Sequence, residues 1–339
     1  MLSGSGLPLL HTNQRLVVRE LQRRGAEISV IDLGAELLEV RMGGRSDLLL
    51  DRFSSMAPFH VVKLSADKHL CKHLLRRKGI EVPDGGRFTG RTVDDAMDAA
   101  EAIGYPVVVK PNRGSHGDGV RVGLRTPDRL EACLWEFAAL RGPDEPFIVE
   151  SFHPWPEHRV FASRSGGFAA VRRVPAHVVG DGTSTVQELA GLESARREEI
   201  RAVRETSLCP LVLDREAASH LRAQGFSGFS HVPAAGEEVF LRQQSNLAKG
   251  GVAVGVTAKA HPSVRAMAAR VLDALPGMPC VGIDLLCADI SADLVPGGYA
   301  VIEVNSNPGL AMHAFPGEGE AIDVAAMVVD AMFPWLAAV

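Results

Sequence analysis

The sequence predicts an α+β protein with more than one subdomain, and three observations carry that expectation. Helical and strand periodicities alternate along nearly the whole chain, with no internal repeat and no low-complexity linker. Its 339 residues exceed the roughly 250 to 300 that one hydrophobic core serves, so two or three subdomains with clefts between them are expected. With 46% hydrophobic and 23% charged residues, the composition excludes disordered, collagenous and coiled-coil classes.

The elements follow in order. Residues 14–24 (QRLVVRELQRR) have helical spacing, stop at Gly25 and lead into ISVIDL, which reads as a buried strand. This short α/β unit is too small for a complete dinucleotide-binding domain. Asp67 to Lys78 is a second helix with Leu70, Leu74 and Leu75 on one face and Gly79 closing it, followed by an extended IEVP. From 92 come a helix (TVDDAMDAAEAIG), a strand (YPVVVKP), a glycine-rich loop (NRGSHGDGV), a strand (RVGL), a helix (TPDRLEACLWEFAALR) and a strand (FIVESF). Together they make a compact subdomain of about sixty residues. Beyond Pro156 the chain is strand-rich (HRVFAS, FAAVRRVPAHVV, EEVFLR), with a charged helical insert at 193–205. A helix (SVRAMAARVLDAL), two strands (CVGIDLLCA, YAVIEVN) and a terminal helix complete it. The expected division is 1–63, 64–150 and 151–339.

A net charge of −5 without a long Lys/Arg run gives no footprint for a nucleic-acid backbone. The apolar end, 324–339, carries Asp330 and Pro334 and is too short to span a bilayer, and the first residues lack the basic segment of a signal peptide. Neither nucleic acid nor membrane is an expected partner. Five cysteines, at 71, 133, 209, 280 and 287, form no CxxC pair and suit a reduced compartment, so the expected location is cytoplasmic. Cys71, Cys133, Cys280 and Cys287 sit among apolar neighbours and read as small core residues.

Chemistry concentrates in three places. Two apolar strands end in acids: VGIDLL with Asp284, and AVIEVNSNPG with Glu303 and Asn305. In adjacent antiparallel strands an inward Asp facing an inward Glu brings two carboxylates together, and the two-residue period puts Glu303 and Asn305 on one face. Oxygen ligands of this kind suit Mg²⁺ shared with substrate phosphates. Taken alone, these acids read equally well as strand ends satisfied by salt bridges. Next, Lys110 ends a buried β run, and Asn112 to Gly119 follow at once. Glycines let backbone N–H groups approach phosphate oxygens, and the lysine adds a point charge, although an ordinary hairpin turn would look similar. Third, RQQSNLAKGG at 242–251 gathers Arg242, Asn246, Lys249 and a glycine pair, a pattern shared by anion sites and solvated basic loops.

Taken in sequence, VVKP with its glycine loop, FIVESF with Glu150 and Glu157, RQQSNLAKGG, GIDLL and EVNSNPG resemble the ATP-grasp superfamily. More narrowly, RRVPAHVVGDGTSTVQEL, LRAQGFSGFSHVPAAGEEVFLRQQSNLAKGG and EVNSNPGLAMHAFP resemble the ATP-grasp part of cyanophycin synthetases and the glutathione-synthetase half of bifunctional glutathione enzymes. The likeness runs from about residue 14 to about residue 320. It implies an ATP-grasp fold, two α+β subdomains gripping ATP, here preceded by the short N-terminal unit. It further implies that Lys68 and Lys110 contact the nucleotide phosphates and that Gly114, Ser115, His116, Gly117 and Gly119 form a loop over them. Glu150 and the backbone near Phe152 would receive adenine, and Glu157 the ribose. Asp284, Glu303 and Asn305 would hold two Mg²⁺, with Mn²⁺ as an alternative, while Arg242 and Asn246 would stand beside the transferred phosphoryl group. Where similar chains have a small or hydroxylic residue before the glycine pair, this one has Lys249, an added contact for phosphate or substrate.

The implied reaction is ATP-dependent joining of a carboxylate to an amine through an acylphosphate, with Lys110, Arg242 and Asn246 as the catalytic set and small amino acids or peptides as substrates. The alternatives are addition of an amino acid to a peptide or protein end, and a phosphotransferase that stops at the phosphorylated product. Homo-oligomerisation is compatible with either. No residues after Val339 supply the Mur-ligase-like domain of cyanophycin synthetases, so one kind of amide bond is expected. Arg159 and Arg173 are equally suited to a substrate carboxylate or a surface acid.

Overall fold

The structure, a computed structural model, describes residues 9–114 and 117–336. By compactness the chain divides into two units: Met1–Ala170 with Ala258–Leu310 and Asp323–Val339, and Val171–Thr257 with Ala311–Ile322. The expected segments 1–63 and 64–150 both belong to the first unit, and 151–339 is shared by both.

The chain opens with α1 (Thr12–Arg23), which buries Val17, Val18 and Leu21. An antiparallel meander follows: β1 (Glu27–Asp32), β2 (Leu37–Met42) and β3 (Arg45–Leu50). Gly43 and Gly44, at φ 58° and 77°, turn β2 into β3, because a two-residue hairpin needs positive φ at both central positions. The expectation that ISVIDL is buried is corrected here. β1 is an edge strand of a small sheet, and of its six residues only Ile28 is buried.

Next come α2 (Phe59–Ser65) and α3 (Lys68–Arg77). Asp67 caps α3 by accepting from the Leu70 N–H at 3.0 Å. The subdomain foreseen from 92 is present as β4 (Gly85–Phe88), α4 (Val93–Ile103), β5 (Val107–Pro111), β6 (Arg121–Leu124), α5 (Pro127–Arg141) and β7 (Phe147–Ser151). Its antiparallel sheet has the order β4-β7-β5-β6, and Val107, Val109, Phe147 and Val149 pack against Ala96, Ala100, Leu130 and Leu134 of the two helices. Two longer strands follow, β8 (Glu157–Ser163) and β9 (Phe168–Val174), the second running from one unit into the other.

The second unit continues with β10 (His177–Val179), α6 (Val186–Val203), α7 (Arg215–Ala223), β11 (Glu238–Phe240) and β12 (Val252–Gly255). The charged insert expected at 193–205 thus starts earlier, where Thr185 and Glu188 form a reciprocal capping box. Its core joins Val178, Val186, Ala190, Leu221 and Val239. The chain then returns to the first unit with α8 (Pro262–Ala274), β13 (Cys280–Cys287) and β14 (Tyr299–Asn305). In the second unit α9 (Ala311–Ala314) and β15 (Glu318–Gly319) follow, and α10 (Val324–Met332) closes the first unit against α1. In the first unit β13 lies antiparallel to both β14 and β8; in the second, β12 lies antiparallel to the end of β9 and parallel to β15. Among the described residues no helix is long and apolar enough to cross a membrane. All five cysteines are unpaired, and Cys71, Cys280 and Cys287 are buried, where burial pushes each thiol up to about 12.

Candidate active site

The strands that carry the acids pair antiparallel, and a one-residue register shift between Asp284 and Leu285 brings the two carboxylates opposite each other. Asp284 of β13 is in register with Glu303 of β14, and Asn305 with Gly282. Asn305 Nδ2 lies 3.5 Å from Asp284 Oδ2, so the three polar side chains share one face. Arg159 of β8, in register with Asp284, donates through Nε to Oδ1 and through Nη2 to Oδ2 at 3.2 Å. Arg159 therefore meets neither a surface acid nor open solvent: it is buried and supports Asp284. Gly282 leaves the room this needs, since a Cβ there would lie 3.2 Å from Arg159 Nη1 and 3.0 Å from Pro308 Cβ. Glu303 has a weaker counter-charge, Lys68 Nζ at 3.7 Å, and burial raises its carboxyl above the usual range.

Around these acids stands a group of lysines. Lys110, at the end of β5, donates to Glu150 of β7 at 2.6 Å and reaches the Ile302 carbonyl at 3.4 Å. Lys72 of α3 donates to the other oxygen of Glu150. All three groups are almost wholly buried, so one carboxylate faces two ammonium groups without water to share the charge. Burial drives Lys72 down to about 7, whereas Lys110, enclosed to the same degree, is held above the usual lysine range by Glu150. The same two cations keep Glu150 ionised against its burial. Gly85 of β4, opposite Glu150, admits no side chain, because a Cβ would come within 2.2 Å of the Val149 carbonyl oxygen.

Local sequence explains how Lys68 joins them. The Asn112 carbonyl accepts from the Lys68 N–H at 3.1 Å, its amide oxygen accepts from His69 N–H at 3.1 Å, and its amide nitrogen donates to Asp67 at 2.9 Å. The start of the glycine loop is thereby latched to the first turn of α3. Lys68 Nζ donates to the Gly114 carbonyl at 2.6 Å, and burial lowers its ammonium below the usual lysine range. Gly114, Gly117 and Gly119 all have positive φ, which glycine adopts without a steric penalty. Ser115 and His116, expected in that loop, lie outside the described residues. The Phe152 N–H donates to the Pro106 carbonyl at 3.3 Å, and Glu157 opens β8 in register with Leu286.

Arg242 and Asn246 belong to the second unit. Arg242 is buried and donates to Glu216 at 2.6 Å and to the Val212 carbonyl at 2.9 Å, with Asp214 2.9 Å away. Among the described residues its Nε has no hydrogen-bond partner. Lys249 reaches the same Glu216 at 2.8 Å. Asn246 caps a short 3₁₀ turn, accepting from the Ala248 N–H at 3.0 Å, and Arg173 donates to the Ser245 carbonyl at 2.9 Å.

Sequence reading missed Lys72, Asp67 and Asn112, and with them Glu216. A signal existed for Lys72, which stands one helical turn after Lys68 and therefore on the same face of α3.

Among the described residues no cluster of three His, Cys, Asp or Glu side chains is placed to hold a metal. The donor set is two opposed carboxylates and one amide. That set fits Mg²⁺, a hard cation usually held by one or two carboxylates and completed by substrate phosphates and water.

Comparison with known proteins follows the same residues. Residues 67–152, from the α3 cap to the end of β7, match the family model described as the ATP binding domain of the carbamoyl-phosphate synthase L chain. Over 321 residues, 94% of this chain, it is 33% identical to cyanophycin synthetase of Nostoc sp. (strain PCC 7120), and covers 34% of that enzyme. It is 25% identical over 328 residues to the glutathione biosynthesis bifunctional protein of Desulfotalea psychrophila, covering 96% of this chain and 42% of that protein. The chain thus spans about a third of the cyanophycin synthetases it matches. The crystal structure of a bifunctional glutathione synthetase from Pasteurella multocida superposes with a TM-score of 0.69 at 24% identity, over 96% of this chain and 44% of that one.

Proposed function

We infer that this chain, which has the ATP-grasp fold and is homologous to cyanophycin synthetase and the bifunctional glutathione enzymes, is an ATP-dependent carboxylate–amine ligase. The observation that carries the reading is the register of Asp284 opposite Glu303 with Lys68 and Lys110 beside them. Two opposed acids, one braced by Arg159, next to the buried Lys68 and Lys110 suit a metal–polyphosphate.

A carboxylate is a poor electrophile, so it must first be activated. Its oxygen attacks the γ-phosphorus of ATP, the bond to the β-phosphate oxygen breaks, and ADP leaves with that electron pair. The amine then adds to the acylphosphate carbonyl, phosphate departs, and one proton is lost from nitrogen to give the amide. Lys68 and Lys110 neutralise oxygens of the phosphate tail, as preorganised charges in a dry site do. Asp284, Glu303 and Asn305 would hold Mg²⁺, one or two ions, with Mn²⁺ as the alternative. The bound ion supplies charge neutralisation on the transferring phosphoryl group. The loop containing Gly114, Gly117 and Gly119 would keep water from the acylphosphate. For Arg242 and Asn246 beside the phosphoryl group, and for Glu150, Phe152 and Glu157 around the nucleoside, the reading rests on the sequence resemblance. The substrates are proposed to be amino acids or short peptides, and the five unpaired cysteines support a cytoplasmic setting.

The test is a phosphate-release screen over pairs of amino acids and short peptides with ATP and Mg²⁺. The expected result is ADP and phosphate formed only with a matched acid and amine, and a hydroxamate when hydroxylamine replaces the amine. AMP and pyrophosphate as products, or phosphate transfer that ignores the amine, would overturn it.

A further inference from the structure

Among the described residues the only non-glycine positions with positive φ are Glu36 and Asp51, both at 52°. Such positions are strained and persist when their surroundings over-determine them, commonly at functional sites. Here one side chain holds both. Gln14 of α1, fully buried, donates its amide to the Glu36 carbonyl at 2.6 Å and to the Asp51 carbonyl at 3.0 Å, and the Asp51 N–H in turn donates to Glu36 at 3.0 Å.

The strain at Asp51 aims a carboxylate. Its Oδ2 accepts from the Asn307 amide and its Oδ1 from Arg52 Nη1 at 2.6 Å, while Arg52 Nη2 reaches the Asn307 carbonyl at 3.5 Å. Asn13, next to Gln14, accepts from the Leu310 N–H at 2.8 Å. The turn that follows β14 is thus fastened near both its ends to residues 13–52, more than 250 positions away in sequence. That turn leaves β14 at Asn305, where ladder pairing with β13 stops at Gly282. Beyond that pair, among the described residues, no strand pairing fixes the chain, so the direction in which Asn305 leaves the sheet depends on what holds Asn307.

We propose that Asp51 is a positioning residue for the metal strand: clamped by Gln14, it holds Asn307 and thereby sets the placement of Asn305 and Glu303. This rests on the reading of Glu303 and Asn305 as metal ligands. Groups that orient ligands from behind typically alter metal affinity by about ten- to a hundredfold when removed.

Asp51→Gly deletes the carboxylate while suiting the left-handed backbone, Asn307→Ala cuts the same contact from the other side, and Asp51→Asn keeps the shape. Two readouts are needed, neither of them turnover. The first is hydrogen exchange of amides 306–310 without metal or nucleotide. The second is ATP affinity by calorimetry as Mg²⁺ is varied. The expected result for Asp51→Gly and Asn307→Ala is faster exchange in the turn, and a Mg²⁺ requirement for ATP binding raised about tenfold, with Asp51→Asn, which keeps one acceptor for Asn307 and loses the one for Arg52, changed less than Asp51→Gly in both. Unchanged exchange, or faster exchange with an unchanged Mg²⁺ requirement, overturns the proposal. Asn307→Ala decides the matter if Asp51→Gly does not fold. A wild-type protein whose ATP binding ignores Mg²⁺ would instead remove the metal reading underneath, while the exchange measurement still reports on the clamp.

Discussion

Glu303 and Asp284 stand opposite each other on β14 and β13, and only Asp284 is gripped by a guanidinium. The two acids therefore have different structural costs although both are assigned to the metal. Glu303→Gln removes a charge that burial already disfavours and gives up only the 3.7 Å contact with Lys68, so the loss of stability should be small. Asp284→Asn strands Arg159 in the core, a loss of about 3–5 kcal/mol. Both should lower ATP turnover by more than about tenfold, above roughly 1.4 kcal/mol of barrier. Denaturant melts alongside turnover check this, and equal stability losses in the two variants would contradict it.

Lys72, Glu150 and Lys110 give the second prediction. Lys110→Ala leaves Glu150 compensated by Lys72, so it should weaken nucleotide binding more than folding. Glu150→Gln takes from two enclosed lysines the one carboxylate that both touch and should cost about 3–5 kcal/mol of stability. Calorimetry with Mg²⁺ and nucleotide, beside melts of each variant, separates the two effects. Unaltered nucleotide affinity in Lys110→Ala would remove that lysine from the phosphate site.

In the second unit, Glu193 accepts from Arg196 at 2.7 Å and from the buried Arg197 at 2.7 Å. The Arg196 hydrogen bond, with Arg197 behind it and against partial burial, holds its carboxyl down at about 2, below the ordinary 4.5. A depressed acid stabilises the fold above its unfolded value, and that contribution fades as pH falls from 4.5 through about 2. Glu193→Gln should therefore cost about 2 kcal/mol near neutrality. The gap to wild type should narrow steadily below 4.5. A gap of constant size across that acid range, in thermal melts, would contradict the assignment.

Much of this was open to reading in the chain itself. That VGIDLL and AVIEVN run side by side is legible in their apolar alternation, but the one-residue register shift between Asp284 and Leu285, which places Glu303 rather than Ile302 opposite Asp284, leaves no mark in a period of two. The subdomain from 92 was legible for the same reason: its caps, its Pro127 and its apolar spacing all agree. The β2–β3 hairpin was missed although Gly43-Gly44 between two alternating runs announces it. Other features had no local signal. Gln14, Asp51 and Asn307 meet across the length of the chain, and Arg159 looks like any strand arginine until β13 is laid beside it. Long-range polar contacts of this sort are properties of topology, and no periodicity encodes them.

The enclosed trio of Lys72, Glu150 and Lys110 also bears on how long the protein survives. When both ammonium groups are protonated they share the one carboxylate that both touch, so Glu150 answers two positive charges in a space closed to water and a net positive charge stays enclosed. A polyphosphate that neutralises it would act as a missing part of the interior. Any ligand selective for the folded state at a hundred times its dissociation constant adds about 2.7 kcal/mol. Proteases act on transiently opened chains, so Mg²⁺ and ATP together should slow the limited proteolysis of this protein if the trio faces the phosphates.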